Sequence, residues 1–303
     1  VLVPPMHTLT IYMSKWFLPI FGYNGIGLRF PVILFGILSL WLIYSFTKNT
    51  LSDGSVAVLS ATMLALNPFF GHYSHELRGY PSLFFFALCS YYCFLRLIQP
   101  GKKTLFWILL FLSFVGCYLA NFAALMFFAV FLAAIWILRI LIKFYPDLES
   151  LSPAKNISFA SLFKYSLTTT LFFVWVVFEV DQNIFNKSAN VYTDWGGNYI
   201  AIPDIFSAFF GYKYLDDPRS LLYNYPFFIW LCSIIFFGYG GYTLLKKKSF
   251  LVPLFTALLG MTISVYALSG IWVPVRSAIY LLPFIVIFQS YGLKEIASKL
   301  SIR

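Results

Sequence analysis

The chain has 303 residues, of which 60% are hydrophobic and 11% are charged. Soluble globular domains carry about a quarter charged residues, so this composition excludes an ordinary soluble protein. The formal net charge of +10 comes from basic residues dispersed over the ends of apolar segments, which argues against nucleic-acid binding because no basic groove is formed.

Apolar runs of roughly 17 to 24 residues recur along the chain, and each is long enough to cross a hydrocarbon core of about 30 Å as a helix. The runs are continuously apolar rather than alternating, which favours helices over a β-barrel. We therefore predict an all-α fold: one domain, 1–303, forming a polytopic transmembrane helical bundle of about nine spans. The predicted helices are Arg29–Thr47, Val56–Phe70, Gly79–Ile98, Thr104–Ala120, Asn121–Phe144, Phe159–Val180, Tyr223–Leu245, Phe250–Ser269 and Pro274–Leu293.

The segment before these spans, 1–27, is predicted to contain an interfacial helix on the outer face. Met6–Phe21 is apolar on one side and carries Lys15 and Trp16, a pattern typical of helices that lie in the membrane interface. Val1 is not an initiator methionine, and outward placement of this segment normally requires an earlier helix that carries the chain across the bilayer. We therefore expect the natural protein to contain at least one more helix upstream of Val1.

The basic residues predict the orientation. If the loop Lys48–Ser55 is cytoplasmic, alternation of nine spans places 14 of the 21 basic residues on the cytoplasmic side, as the positive-inside rule requires. The outer face then receives the segment His72–Tyr80 and the loop Asp181–Leu222. Because this loop is long and rich in aromatic residues, we expect it to form an ordered cover over a site on that face.

A charged cluster lies between two long apolar stretches, with the sequence His72-Tyr73-Ser74-His75-Glu76-Leu77-Arg78-Gly79-Tyr80. A charge at the edge of the hydrocarbon is unfavourable unless it finds a partner, a polar cavity or a ligand. The cluster therefore predicts a binding or catalytic surface at one face of the membrane. The alternative is a solvated loop in which Glu76 and Arg78 only pair with each other or with a neighbouring helix.

No metal site is predicted. The four cysteines fall within apolar spans and are expected to pack as small hydrophobic side chains. A divalent cation held by His75 and Glu76 is an alternative, although the spacing of these two residues fits a ligand pair poorly.

Five motifs follow one another in an order that resembles a known family. They are Pro4-Pro5-Met6 opening a helix, Gly27-Leu28-Arg29-Phe30-Pro31, Leu66-Asn67-Pro68-Phe69, Tyr73-Ser74-His75-Glu76-Leu77-Arg78-Gly79-Tyr80, and Pro274-Val275-Arg276-Ser277 with Tyr280 and Pro283. The order is similar to that of the polytopic glycosyltransferases of family 39 that use polyprenyl-phosphate sugars and have the GT-C fold. These include the protein O-mannosyltransferase-like group and the lipid A aminoarabinose transferases. The Tyr-Ser-x-Glu-x-Arg-x-Tyr stretch is the most specific of the five motifs.

The resemblance implies a membrane glycosyltransferase of a bacterial cytoplasmic membrane. It would move a sugar from a polyprenyl-phosphate donor to a lipid, glycan or protein acceptor on the non-cytoplasmic face, with inversion. In this family the expected catalytic base is an acidic residue in the first outer loop, before the Pro-Pro pair, and that region would lie upstream of Val1. Within the chain, Glu76 and Asp194 are the candidate substitutes.

Cationic groups near the donor phosphate would stabilise the negative charge that develops as the sugar leaves. Arg78 and Arg276, both at helix ends on the outer face, are the main candidates, because a guanidinium binds phosphate with paired hydrogen bonds. The alternatives are that Arg276 snorkels to the interface and that Arg29 is only a topological anchor. The full set of candidate substrate-binding residues is Arg78, Arg276, Tyr80, His75, His7, Arg29 and Tyr280.

Two other functions stay open. A transporter or flippase for a polar or lipid-linked substrate is one alternative, although such proteins typically show repeated halves and charges near mid-membrane, whereas the charges here collect at helix ends. A non-catalytic lipid-binding subunit is the other. In each case membrane lipids are expected partners.

Overall fold

The computed structural model describes residues 7–99, 103–121, 123–145, 153, 155–193, 227–269 and 275–301. Every regular element within these ranges is helical, which confirms the predicted all-α class. The elements are α1 (Thr8–Phe21), α2 (Gly25–Leu51), α3 (Gly54–Leu66), α4 (Pro68–Tyr73), α5 (Tyr80–Ile98), α6 (Lys103–Ala120), α7 (Ala124–Phe144), α8 (Phe159–Thr193), α9 (Phe227–Lys246), α10 (Leu251–Ser269), a 3-10 helix η1 (Val275–Leu281) and α11 (Leu282–Ser301).

Within the described ranges, six segments are long and apolar enough to cross a membrane, judged by length and composition: α2, α5, α6, α7, residues Phe159–Val176 of α8, and Ala278–Ser301. Three further apolar helices are shorter, namely Gly54–Leu66, Leu231–Lys246 and Leu251–Val265. Each of the nine predicted spans thus corresponds to an apolar helix. The polytopic class is confirmed, and the number of helices that span the bilayer stays a prediction.

Two predicted helices are each divided in the structure. Val56–Phe70 breaks at Asn67, because Pro68 disfavours helical backbone at the preceding residue and itself opens α4, where the Asn67 side chain accepts a hydrogen bond from Phe70 N at 3.0 Å. Pro274–Leu293 becomes η1 followed by α11. Pro283 is the second residue of α11, a position where its missing N–H removes no helical hydrogen bond.

Two helix boundaries in the structure differ from those that the sequence predicts. The first span begins at Gly25 rather than Arg29, because Asn24 caps α2 by accepting hydrogen bonds from Ile26 N and Gly27 N. The span predicted to end at Val180 continues as α8 to Thr193. The first third of the predicted loop Asp181–Leu222 is therefore helical and that part of the prediction is wrong, while 194–222 lies outside the described residues.

The predicted interfacial segment 1–27 contains α1, which packs along the start of α2. Ser14 donates a hydrogen bond to Leu28 O at 2.7 Å, and the rings of Phe17 and Phe30 are 4.6 Å apart. The opposite side of α1 presents large exposed side chains, among them Trp16 at 74% exposure and Ile20 at 71%. A helix with one packed face and one exposed apolar face is what an interfacial location requires.

The core of the bundle is centred on α5, η1 and the first half of α11. Tyr91 of α5 is fully buried and donates a hydrogen bond to Tyr280 O at 2.8 Å. The Tyr280 hydroxyl lies 2.9 Å from Thr262 Oγ1 of α10, so two buried tyrosines join three elements. Burying these polar groups is tolerated because each hydroxyl has a partner.

Helices α9 and α11 cross at backbone contact. A Cβ atom added at Gly240 would lie 1.8 Å from Phe288 O, and one added at Gly292 would lie 2.0 Å from Phe236 O. Neither obstacle is a side chain that can rotate away. The crossing therefore depends on glycine at both positions, as is common where helices pack closely in membranes.

Replacing Gly240 with Ala should force α9 and α11 apart and lower the free energy of unfolding by about 1–3 kcal/mol, the usual range for overpacking. The measurement is the thermal unfolding midpoint of the purified protein in detergent. Gly238→Ala is the matched control on the same helix, because nothing lies within 4 Å of the added Cβ. Equal midpoints for the two variants would contradict the close crossing.

One end of the bundle, which we call the basic end, carries the chain reversals after α2, α5, α7 and α9. Asp53 in the α2–α3 turn forms an ion pair with Lys294 of α11, and Glu295 pairs with Lys247 at 3.2 Å. Partial burial by itself would raise the pKa of Asp53, but hydrogen bonds from Lys294, Ser55 and Val56 N outweigh it and lower that pKa to about 2. The folded state therefore favours the Asp53 carboxylate.

Asp53→Asn keeps a side-chain oxygen that can cap α3 but removes the charge that pairs with Lys294, so we expect it to lower the free energy of unfolding by up to about 1 kcal/mol at neutral pH. Because the folded pKa of Asp53 is about 2 and its ordinary value is 3.8, the wild-type advantage is complete above pH 3.8 and disappears as the pH falls toward 2. Unfolding midpoints of both proteins across this pH range measure the effect. A constant difference down to the lowest pH would refute the role of the Asp53 charge.

Candidate functional site

The segment between α4 and α5 holds a cluster of charged and imidazole side chains, which we call the Glu76 cluster and define as His72, His75, Glu76 and Arg78. Two buried aromatic residues fix the ends of this segment: the rings of Tyr73 and Tyr80 lie 4.8 Å apart. Between them the backbone makes a tight turn, in which Arg78 N donates to Glu76 O at 2.7 Å. The charged side chains are therefore displayed on a short loop with anchored ends.

Glu76 lies between two positive or potentially positive groups. Its Oε1 is 2.9 Å from His72 Nε2, and its Oε2 is 3.2 Å from Arg78 Nε. The Oε2 atom is shielded from solvent but makes no hydrogen bond to any residue that the structure describes, so the contact with Arg78 is ionic without hydrogen-bond alignment. The Arg78 side chain is 46% exposed, so its remaining N–H groups are accessible to a ligand.

The turn is attached to two other parts of the bundle through Gly79. Gly79 N donates a hydrogen bond to His7 Nδ1 at 2.7 Å, and the ring of His7 lies 6.0 Å from that of Tyr80 in an edge-on arrangement. A Cβ added at Gly79 would lie 1.8 Å from Ala120 O at the end of α6. His7 thus contacts the turn backbone, although the prediction that it binds substrate is not tested by this contact.

His75 is exposed, and its Nδ1 lies 2.8 Å from Gly71 O. Its ring is 5.7 Å from that of His72. Within the described ranges, no group of three His, Cys, Asp or Glu side chains is arranged to hold a metal ion. The alternative of a divalent cation at His75 and Glu76 therefore has no third protein ligand in this part of the chain.

Other predicted site residues lie elsewhere. Tyr280 is fully buried in the core, with its ring 5.1 Å from Phe127 and its hydroxyl at Thr262, so it has a structural role there and its contact with substrate stays a prediction. Arg29 is exposed on the first turns of α2. Arg276 belongs to η1, whose first residues border the segment 270–274 that lies outside the described residues, as does Asp194.

His72 belongs to this cluster, although it is not among the substrate-binding residues predicted from the sequence. It approaches Glu76 because the two are four residues apart at the end of a helix, where i and i+4 side chains are neighbours. That spacing is visible in the sequence. His72 and Arg78 together surround a carboxylate that would otherwise carry an uncompensated charge at the end of the bundle.

Comparison with known proteins supports the resemblance of the motifs. Residues 3–152 match the family model described as dolichyl-phosphate-mannose-protein mannosyltransferase. No curated protein matches the chain.

Solved structures show the same fold. The crystal structure of ArnT from Cupriavidus metallidurans bound to undecaprenyl phosphate matches with a TM-score of 0.61 at 11% identity, covering 96% of this chain and 50% of that chain. The apo structure of the same protein matches with a TM-score of 0.57 at 12% identity, covering 96% and 49%. The predicted resemblance and the GT-C fold are thereby confirmed. The chain spans about half the length of these structures.

Gly79→Ala should displace the turn from α6, because the added methyl group meets a backbone carbonyl and the His7 ring, with an expected loss of about 1–3 kcal/mol. Gly71→Ala is the control in the adjacent helix, since nothing lies within 4 Å of its added Cβ. Hydrogen exchange of the 74–79 amides, together with the unfolding midpoint, measures the displacement. Unchanged exchange in Gly79→Ala would show that α6 does not hold the turn.

Proposed function

We propose that the protein is a polyprenyl-phosphate-dependent membrane glycosyltransferase whose donor phosphate binds at Arg78. The observation that carries the proposal is a partly exposed guanidinium held beside a carboxylate at one end of a helical bundle with the GT-C fold. The family match over residues 3–152 supports an enzyme rather than a transporter or a non-catalytic subunit. The undecaprenyl phosphate bound to ArnT supports a polyprenyl-phosphate sugar as the donor for this chain.

The chemistry follows from the donor. An acceptor hydroxyl oxygen forms a bond to the anomeric carbon from the face opposite the phosphate, the bond from that carbon to the phosphate oxygen breaks, and the electron pair leaves with the lipid phosphate. The configuration is inverted, and the acceptor proton goes to a base. Negative charge grows on the phosphate as the bond breaks, so a guanidinium placed there stabilises the transition state more than the ground state.

Glu76 has two proposed roles that lead to different expectations. As a positioning residue, it holds Arg78 ready for the phosphate with one carboxylate oxygen, while its other oxygen contacts His72 Nε2. As a base, it would have to approach the acceptor hydroxyl, and its carboxylate is already engaged by both neighbours. The resemblance instead assigns the base to an acidic residue before the Pro-Pro pair, so we propose the positioning role for Glu76, with Asp194 as the other candidate base within the chain.

The proposed donor-binding set also includes Arg276, Tyr80, His75, His7 and Arg29. His7 and Tyr80 adjoin the Glu76 cluster through Gly79, which supports their inclusion. We further propose that this end of the bundle faces away from the cytoplasm of a bacterial cell, because the lysine-rich basic end lies opposite. The acceptor would be a lipid, a glycan or a protein.

The test uses membranes containing the protein, a radiolabelled polyprenyl-phosphate sugar and a mixed acceptor fraction. Arg78→Ala should lower sugar transfer by about a hundredfold or more, the usual effect of removing a group that stabilises developing charge. Lys15→Ala, a basic residue of α1 beside the Tyr12 ring, is the control and should leave transfer unchanged. Equal transfer by Arg78→Ala and wild type would reject the role of Arg78. Movement of intact donor across the membrane without transfer would instead identify a transporter.

A further inference from the structure

A second polar site lies at the basic end, away from the Glu76 cluster. A cavity of about 180 Å³ opens where the ends of α2 and α5 meet the start of α10. Since a single buried water needs about 10–15 Å³ of such space, the cavity has room for a group the size of a phosphate ester. Its lining includes Asn49, Thr50, Tyr92, Arg96, Gln99 and Phe250.

Arg96 is the one charged side chain among the lining residues, and it is held in place by neutral groups. Its Nε and Nη2 donate to the Tyr92 hydroxyl at 3.3 and 2.9 Å, and its Nη1 donates to Gln99 Oε1 at 3.2 Å. The guanidinium carbon also lies 5.2 Å from the centre of the Tyr92 ring. A guanidinium has five N–H groups, so two of them have no acceptor within the described part of the chain.

Among the other cations of the basic end, Lys299 also donates to a tyrosine hydroxyl and lies over its ring, but it is exposed. Lys247 and Lys294 have carboxylate partners, and Arg139 donates to Ile157 O at 2.9 Å while it covers the Phe159 ring. Arg96 combines a partly buried position, a fixed orientation and a cavity, without a carboxylate partner among the described residues. A planar guanidinium fixed in this way matches the geometry of a phosphate.

We propose that this cavity binds the phosphate of an anionic phospholipid headgroup. Arg96 lies near the end of an apolar helix that is long enough to cross the bilayer, which is the depth at which headgroup phosphates are found. Leu95 and Ile98, both largely buried, make part of the same lining apolar. The surplus of lysine over carboxylate at this end favours an anionic lipid over a zwitterionic one. The proposal does not rest on the glycosyltransferase function.

The test measures thermal unfolding of the purified protein in neutral detergent with added phosphatidylglycerol or phosphatidylcholine. Phosphatidylglycerol should raise the unfolding midpoint and phosphatidylcholine should not. In Arg96→Gln the phosphatidylglycerol concentration for half-maximal effect should rise by about tenfold or more, because charge-assisted hydrogen bonds are lost. Lys143→Gln is the matched control, since it removes one exposed positive charge near the end of α7, at the same end of the bundle.

Equal changes in Arg96→Gln and Lys143→Gln would overturn the proposal, because they would indicate diffuse attraction instead of a site. Soluble glycerol 3-phosphate that stabilises as well as the lipid at equal concentration would also overturn it, in favour of a free-phosphate site. Tyr92→Phe removes the hydroxyl that orients the guanidinium while it keeps the ring. It should weaken the phosphatidylglycerol effect several-fold. If Arg96→Gln does not fold, an unchanged phosphatidylglycerol effect in Tyr92→Phe overturns the proposal.

Discussion

The hydrocarbon environment imposes one constraint on which the remaining structure depends: backbone N–H and C=O groups must be satisfied within each helix. Backbone donors and acceptors that are free to bind a ligand are therefore found where helices end. The two proline-marked interruptions, at Pro68 and Pro283, both occur near such ends, and the first of them leads directly into the Glu76 cluster. The site is thus located by the rules that govern helix ends rather than by its own charged side chains.

The ion pairs of the cluster are partly exposed, and pairs of this kind contribute little to stability. What holds the turn is packing. Gly79 contacts the backbone of α6 at Ala120, and Tyr73 and Tyr80 are buried on either side. Because packing and not the ion pairs fixes the loop, Glu76 and Arg78 could change partners on binding the proposed donor phosphate without disturbing the contacts that hold the loop.

The helices could be predicted from the sequence because the apolar runs are long and uniform. The pair Asn67-Pro68 indicates a helix break, but the continuous apolar run around it favours a single helix. The position of Tyr280 could not be predicted in this way. A tyrosine near the start of a helix can serve a site or a core, and its burial depends on Tyr91 and Thr262, which are 189 and 18 residues away. The extension of α8 to Thr193 was missed because polar residues such as Asp181 suggest a loop. Outside the hydrocarbon a helix can continue with polar residues.

Helix α5 connects both polar sites. Arg78 precedes it by two residues and Arg96 is its third-last residue, so 18 residues separate the two arginines. At a rise of 1.5 Å per residue this corresponds to about 27 Å, close to the thickness of the hydrocarbon core. Two guanidinium groups at the two interfaces would help fix the depth of a helix that packs at the centre of the bundle. Their surroundings differ, however, because Arg78 is beside a carboxylate whereas Arg96 is held by a tyrosine hydroxyl and an amide oxygen. If the proposed ligands bind, a donor phosphate at Arg78 would compete with Glu76, which suits a substrate that binds and leaves. A lipid phosphate at Arg96 would meet no carboxylate competitor among the described residues, which suits a resident lipid.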